Sequence, residues 1–241
     1  MTGKVAVITG ASEGIGAGLV TAYRRRGWAV VASTPTLRPS KDPEVLAVEG
    51  DIADRASADR VIGAALARFG RLDTLVNNAG VFISKPFTDY TAADYALVVR
   101  VNLTGFFWVT QRAVAAMATR YGGHVVTVSA TAESADSSTP AVLDALTKGG
   151  LAAATRSLAI EYACLGIRVN AVSPGIIQSP AHPPECYEHL GDRLPPLGRV
   201  GQVSDVVDGV LFLESSPFIT GEILHIDGGQ IARSPATEAV G

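Results

Sequence analysis

Asp144 and Lys148 are the residues of this chain best placed, by type and spacing, to move a proton. They stand four apart in Asp144-Ala145-Leu146-Thr147-Lys148, a stretch that leads into a long apolar pattern. Spacing of four puts both side chains on one face of a helix. A carboxyl beside an ammonium supports two readings: Asp144 is a general base, or the pair is an ion pair that merely positions Lys148. A free aspartate has a pKa of about 3.9 and a neighbouring ammonium lowers it, so the expectation is an ionised Asp144 unable to donate a proton at neutral pH. Ser129 and Thr131 offer hydroxyls on either side of Ala130, just past the apolar run Val125 to Val128. A second constellation is Thr9-Gly10-Ala11-Ser12-Glu13-Gly14-Ile15-Gly16. Its three glycines allow a tight turn, close approach of backbone N–H groups to a pyrophosphate, and an anion at a positive helix N-terminus. Glycines alone say little, since many strand-to-helix turns use them, but position directly after a strand points to a dinucleotide.

These residues need a scaffold, and the hydrophobic pattern supplies one. Val5 to Thr9 reads as a strand, followed by the glycine turn and a helix through Tyr23. Further apolar runs at Trp28 to Ala32, Val45 to Val48, Thr74 to Val76, Val125 to Val128, Arg168 to Val172 and Ile223 to Ile226 alternate with helical periodicity. Continuous apolar strands between helices predict an α/β fold, a doubly wound parallel β-sheet of the Rossmann type with helices on both faces. Helices are predicted over Ser57 to Phe69, Ala92 to Tyr121 with a break near Thr104 and Gly105, Asp144 to Cys164, and Val203 to Leu213. Residues 1–241 read as a single domain, with an irregular, three-proline loop at 34–43, a substrate-covering loop at 179–196 and a solvated tail at 234–241.

Composition narrows the function. With 241 residues, 47% hydrophobic, 18% charged and a net charge of -3, the chain has no cationic excess for nucleic acid or anionic membrane. Two cysteines, Cys164 and Cys186, form no disulfide framework. His182 and His189 share a proline-rich loop with Cys186 and Glu185, but without helical spacing to order a metal, so none is expected. No apolar stretch reaches membrane-span or signal length, and a cytoplasmic location is expected.

The ordered set of motifs resembles the short-chain dehydrogenase/reductase family over nearly the whole chain. TGASEGIG resembles its cofactor loop, Asn77-Asn78-Ala79-Gly80 its NNAG segment, Asn102 its helix asparagine, and Asp51-Ile52 its adenine-contacting residues. Pro174, Gly175, Ile177 and Ser179 resemble the segment beside the nicotinamide; Arg199, Gly201, Thr220-Gly221 and Asp227-Gly228-Gly229 complete the pattern. The resemblance implies an oxidoreductase using NAD or NADP, and dimers or tetramers built on the helix carrying Leu151, Leu158 and Ile160. Plainer roles stand beside these: Asn77 and Asn78 satisfying a strand end, Asp227 closing a turn, and Asp51 capping a helix, for which Asp54 fits better.

The resemblance also exposes two departures. Family members carry a tyrosine four residues before the lysine, as proton donor to the substrate oxygen, and a serine that steadies that oxygen. Here those positions hold Asp144 and Ala130, which leaves Ser129 or Thr131 as the candidate hydroxyl, Ser129 favoured. An acidic residue ending the second strand would select NAD. The aligned residue is Thr34, which admits NADP with Arg38 or Lys41 as charge partner, while Glu13 in the glycine loop opposes a phosphate. NADP is therefore placed ahead of NAD. Three activities fit: an oxidoreductase of a small carbonyl, alcohol, imine or enone with an altered proton path; a non-redox enzyme with Asp144 as base; and a catalytically silent nucleotide-binding subunit.

Overall fold

The computed structural model describes residues 3–36, 39–130, 141–178 and 194–232. Seven strands, β1 (Val5–Thr9), β2 (Ala29–Thr34), β3 (Val45–Glu49), β4 (Thr74–Asn77), β5 (Gly123–Val128), β6 (Ile167–Pro174) and β7 (Ile223–Ile226), form one parallel sheet in the order β3-β2-β1-β4-β5-β6-β7. Every residue of β1, β2 and β4 is buried, as a sheet covered on both faces requires. Because side chains alternate across a strand, Val5, Val7, Val31 and Leu75 meet α2 (Arg55–Phe69), α4 (Phe106–Ala118) and α5 (Val142–Tyr162). Ala6, Ile8, Val30 and Val76 meet α1 (Gly14–Arg25) and α6 (Val203–Ser215) on the other face. The order reverses between β1 and β4, and a crevice opens beyond the carboxyl ends of strands at such a switch point.

The crossover from β2 to β3 contains no helix among its described residues, in keeping with the three prolines of the 34–43 loop. Leu37 and Arg38 lie outside the described residues. The break expected near Thr104 and Gly105 takes the form of a wider turn: α3 (Ala92–Val98) passes through a π-helical segment, Val99–Gly105, directly into α4. Gly105 lets Ile52 pack close to this segment, since a Cβ there would lie 2.6 Å from Ile52 Cδ1.

Asp54 caps α2, accepting from Ala56 N at 3.2 Å and Ser57 N at 3.1 Å. Asp54→Ala is expected to cost about 1 kcal/mol, read as a melting temperature lowered by roughly 2–4 °C. The apolar residues of α5 are divided differently from the sequence expectation. Leu151 is buried and Leu158 packs on the same core, so of the three residues assigned to an intersubunit surface only Ile160, 82% exposed, remains outside. No helix among the described residues is long and apolar enough to cross a membrane.

At the amino ends of the strands a polar cluster is sealed into the core. Glu214 of α6 accepts from Tyr23 Oη and Thr74 Oγ1, both at 2.9 Å, and lies 3.2 Å from His124 Nδ1. Asn170 Nδ2 lies 3.1 Å from His124 Nε2, so the neutral ring donates from Nδ1 and accepts at Nε2. Arg168 closes the cluster by donating to the carbonyls of Leu213 at 2.9 Å, Ile219 at 3.1 Å and Glu214 at 3.2 Å.

Candidate active site

The glycine turn sits at the switch point and is held from both sides. Gly10 takes a φ of +63°, and a Cβ on Gly16 would lie 2.1 Å from Gly10 O, so both positions exclude a side chain. Glu13, extended and exposed, makes no side-chain cap on α1, which leaves the first-turn N–H groups of that helix without a side-chain acceptor there. Ser12 is exposed at the rim and Ile15 packs against the core beneath. Thr9 Oγ1, which sequence reading missed, accepts from Asn78 N at 3.0 Å and Ala79 N at 3.1 Å. Asn78 Nδ2 returns the link by donating to Thr9 O at 3.1 Å and Gly10 O at 3.0 Å. Asn77 donates to Thr110 Oγ1 at 2.8 Å. Both amides therefore have the structural role that strand-end asparagines serve.

Thr34 is buried at the end of β2, its hydroxyl donating to Thr36 O. Asp51 is exposed; its carboxylate accepts from Arg100 and, at 3.0 Å, from Ala53 N. Ile52 lies buried against Gly105. Past β6, Pro174 and Gly175 are braced by the turn after β7. Gly175 N donates to Ile226 O at 3.0 Å, and Gln230 Oε1, a second residue the sequence did not reveal, accepts from Ile176 N at 3.0 Å. Ile177 bridges to Gly201. Asp227 accepts from Gly229 N at 2.8 Å and Ile231 N at 2.9 Å, the turn-closing role read from sequence. Ser179, Thr131, the 179–193 part of the substrate-covering loop with His182, Glu185, Cys186 and His189, and the 234–241 tail lie outside the described residues.

The NNAG segment reaches the proton-moving group through Gly80, where a Cβ would lie 3.2 Å from Lys148 Nζ and 3.4 Å from Asn102 Oδ1. Asn102 occupies the π-helical segment, an irregularity that often marks functional positions. Its amide locks onto Val81 through Val81 N to Oδ1 at 2.9 Å and Nδ2 to Val81 O at 3.0 Å, and donates to Thr147 Oγ1 at 3.2 Å. Thr147 itself donates to Leu143 O at 2.9 Å. Its hidden signal was the spacing: Thr147 shares a helix face with Leu143 and directly precedes Lys148.

Lys148 is 9% exposed and turns its ammonium to Val128 O at 3.3 Å. Asp144, also 9% exposed, lies on the same buried face one turn earlier. Two expectations are corrected here. Among the described residues no ion pair joins Asp144 to Lys148. And burial pushes the Asp144 carboxyl above its ordinary value, the nearby Lys148 opposing only part of the rise. Burial likewise lowers the Lys148 ammonium, with Asp144 working against it. The Ser129 hydroxyl donates to Lys148 O on the α5 backbone at 3.5 Å. Thr127 Oγ1 is buried with no partner and borders a small pocket of about 10 Å³ shared with Lys148, Asn77 and Asn102.

A glycine turn that no side chain can enter, at the switch point of a doubly wound parallel sheet and beside a buried lysine–aspartate face, defines a dinucleotide-binding α/β protein. Residues 10–230 match the family described as enoyl-(acyl carrier protein) reductase. The chain is 34% identical to the 3-oxoacyl-(acyl-carrier-protein) reductase FabG of Thermotoga maritima, covering 96% of this chain and 99% of that protein. Its fold is that of ElxO with NADP bound, with a TM-score of 0.86 at 27% identity over 96% of this chain and 100% of the other. A 3-ketoacyl-(acyl-carrier-protein) reductase from Brucella melitensis complexed with NADH gives a TM-score of 0.87 at 28% identity, covering 95% and 99% of the two chains. The chain belongs to the short-chain dehydrogenase/reductase family and is an oxidoreductase built to use a nicotinamide cofactor.

Proposed function

We propose that the protein transfers hydride between NADP, in preference to NAD, and a small carbonyl, alcohol, imine or enone, by a proton path altered at Asp144. The carrying observation is the face of α5 on which Asp144 and Lys148 are buried together without an ion pair, with Ser129 turned away. On the resemblance of its motifs to the family's, we read Asp144 as standing where family members carry the tyrosine and Ala130 where they carry the serine. The bound nicotinamide would supply hydride chemistry. Gly10 to Gly16 would hold the pyrophosphate, Asp51 and Ile52 the adenine, and Asn78 to Gly80, Lys148 and Pro174 to Ile177 the nicotinamide half, with Ser179 next in the chain. Thr34, neutral and buried, supports NADP because no carboxylate ends β2 to repel a 2′-phosphate. Lys41 is the described cation of the loop that follows. We also assign the working form to a homo-oligomer, a dimer or tetramer in the cytoplasm, in which a second copy covers Leu146 and Ile160 of α5 and Phe107 of α4, exposed by 61%, 82% and 52%.

Titration calorimetry with NADPH and NADH, followed by a carbonyl panel, tests this reading. NADPH is expected to bind about tenfold more tightly, and Asp144→Tyr to reduce ketones at least about tenfold faster than the native chain, each tenfold being about 1.4 kcal/mol. Failure to bind either nucleotide would remove the oxidoreductase reading.

A further inference from the structure

Acceptors of a hydride differ in what they need afterwards. A ketone becomes an alkoxide, an enone an enolate and a neutral imine an amide anion, and each requires a proton from a positioned donor. An iminium cation becomes a neutral amine and requires none.

Around Lys148 two described hydroxyls are committed elsewhere. Ser129 donates to Lys148 O at 3.5 Å, and Thr147 donates to Leu143 O at 2.9 Å. Thr127 Oγ1 has no partner and borders the pocket of about 10 Å³ that it shares with Lys148, space for about one water. Ala130 carries no hydroxyl. What the α5 face does carry is a carboxyl, Asp144, 9% exposed and one turn before the lysine. The Lys148 ammonium is directed to Val128 O at 3.3 Å, and no ion pair between the two side chains occupies the carboxyl.

We propose that Asp144 is the counter-ion for the positively charged nitrogen of a small iminium substrate. The assignment rests on the oxidoreductase reading above, narrows it to one acceptor class, and gives Asp144 a fixed charge in place of a proton path. An unpaired carboxylate this deeply buried is costly, and a bound cation offsets that cost through an attraction that low local dielectric strengthens. Burial holds the carboxyl above its ordinary value, and the nearby Lys148 opposes only part of that rise. The chemistry balances without a donor. The C=N⁺ carbon gains a hydride, the π pair becomes the nitrogen lone pair, and the reduced nicotinamide is the two-electron reductant, so no proton is taken up. The reverse reaction oxidises a tertiary amine.

Binding and turnover test the assignment separately. With oxidised nucleotide present, calorimetry compares a dimethylated tetrahydroisoquinolinium, which cannot react, with its neutral all-carbon isostere. Native protein is expected to prefer the cation by about tenfold or more. Asp144→Asn should lose that preference and Asp144→Glu should retain part of it, while bound nucleotide reports that both variants are folded. In turnover, an N-methyl dihydroisoquinolinium with NADPH should outpace the matching cyclic ketone by about a hundredfold, about 2.7 kcal/mol of barrier. Equal affinity for cation and isostere, or an undiminished preference in Asp144→Asn, overturns the assignment. Nucleotide binding with ketone reduction and no iminium reduction overturns it while the oxidoreductase reading stands. Absence of nucleotide binding removes both.

Discussion

Glu214→Ala is expected to destabilise the protein by about 3–5 kcal/mol, the usual cost of breaking a buried charge cluster, and to lower its melting temperature by roughly 6–20 °C. One carboxylate satisfies Tyr23, Thr74 and His124, residues drawn from α1, β4 and β5, so its removal strands three buried polar groups together. Burial raises the Glu214 carboxyl, but the bonds to His124, Thr74 and Tyr23 outweigh it and leave it below the usual carboxylate range. Burial also keeps His124 below its ordinary value, against the pull of Glu214. Both shifts remove stability in acid. The His124 contribution is complete above about pH 6.5 and declines below it, as the unfolded chain takes up a proton the folded ring resists; that of Glu214 is complete above about pH 4.3 and is lost as pH falls through its lower folded value. Thermal melts of native and variant protein across this range should therefore diverge most near neutrality and converge in acid. A variant melting within about a degree of native at neutral pH would show that the cluster contributes nothing net. Glu214→Gln, which retains acceptors, is expected to cost less.

Gly16→Ala is expected to weaken nucleotide binding by about a hundredfold or more, about 2.7 kcal/mol. The new methyl would stand 2.1 Å from Gly10 O, 2.8 Å from Asn78 Nδ2 and 2.9 Å from Ala11 Cα. Two of these neighbours are backbone, so the turn itself must open, and the Asn78 bonds that hold it to β4 move with it. N–H groups placed to face a pyrophosphate are then displaced, although the sheet is untouched. Gly14→Ala separates this effect from ordinary strain. It has open space around it and meets only the cost of a φ of +53°, about 1–2 kcal/mol. Calorimetric titration of the two variants should show a large loss of affinity at 16 and a smaller one at 14; comparable affinities would contradict the steric account.

The strands, their order of appearance and the glycine turn were legible because their causes are local or periodic. Apolar runs of strand length, a positive φ at Gly10 and the Asp54 cap each depend on a few neighbouring residues. Asn78 and Lys148 could be picked out by motif, but not what they touch. The partner of Ser129 was not legible, because an apolar strand end does not reveal which way its last hydroxyl turns. The interruption near Gly105 was legible but its form was not, because a glycine in a helix does not say whether the chain stops or widens into a π-helical turn.

The amino-acid sequence by itself determined a nucleotide-binding α/β chain with an aspartate one turn before its lysine, since side-chain type, periodicity and spacing act over short range. Tertiary structure alone decided that Asp144 is raised by burial and that Glu214 gathers groups from three other elements. Protonation and partnership follow from dielectric and distance, and both are set by residues as far apart in the chain as Tyr23 and Glu214.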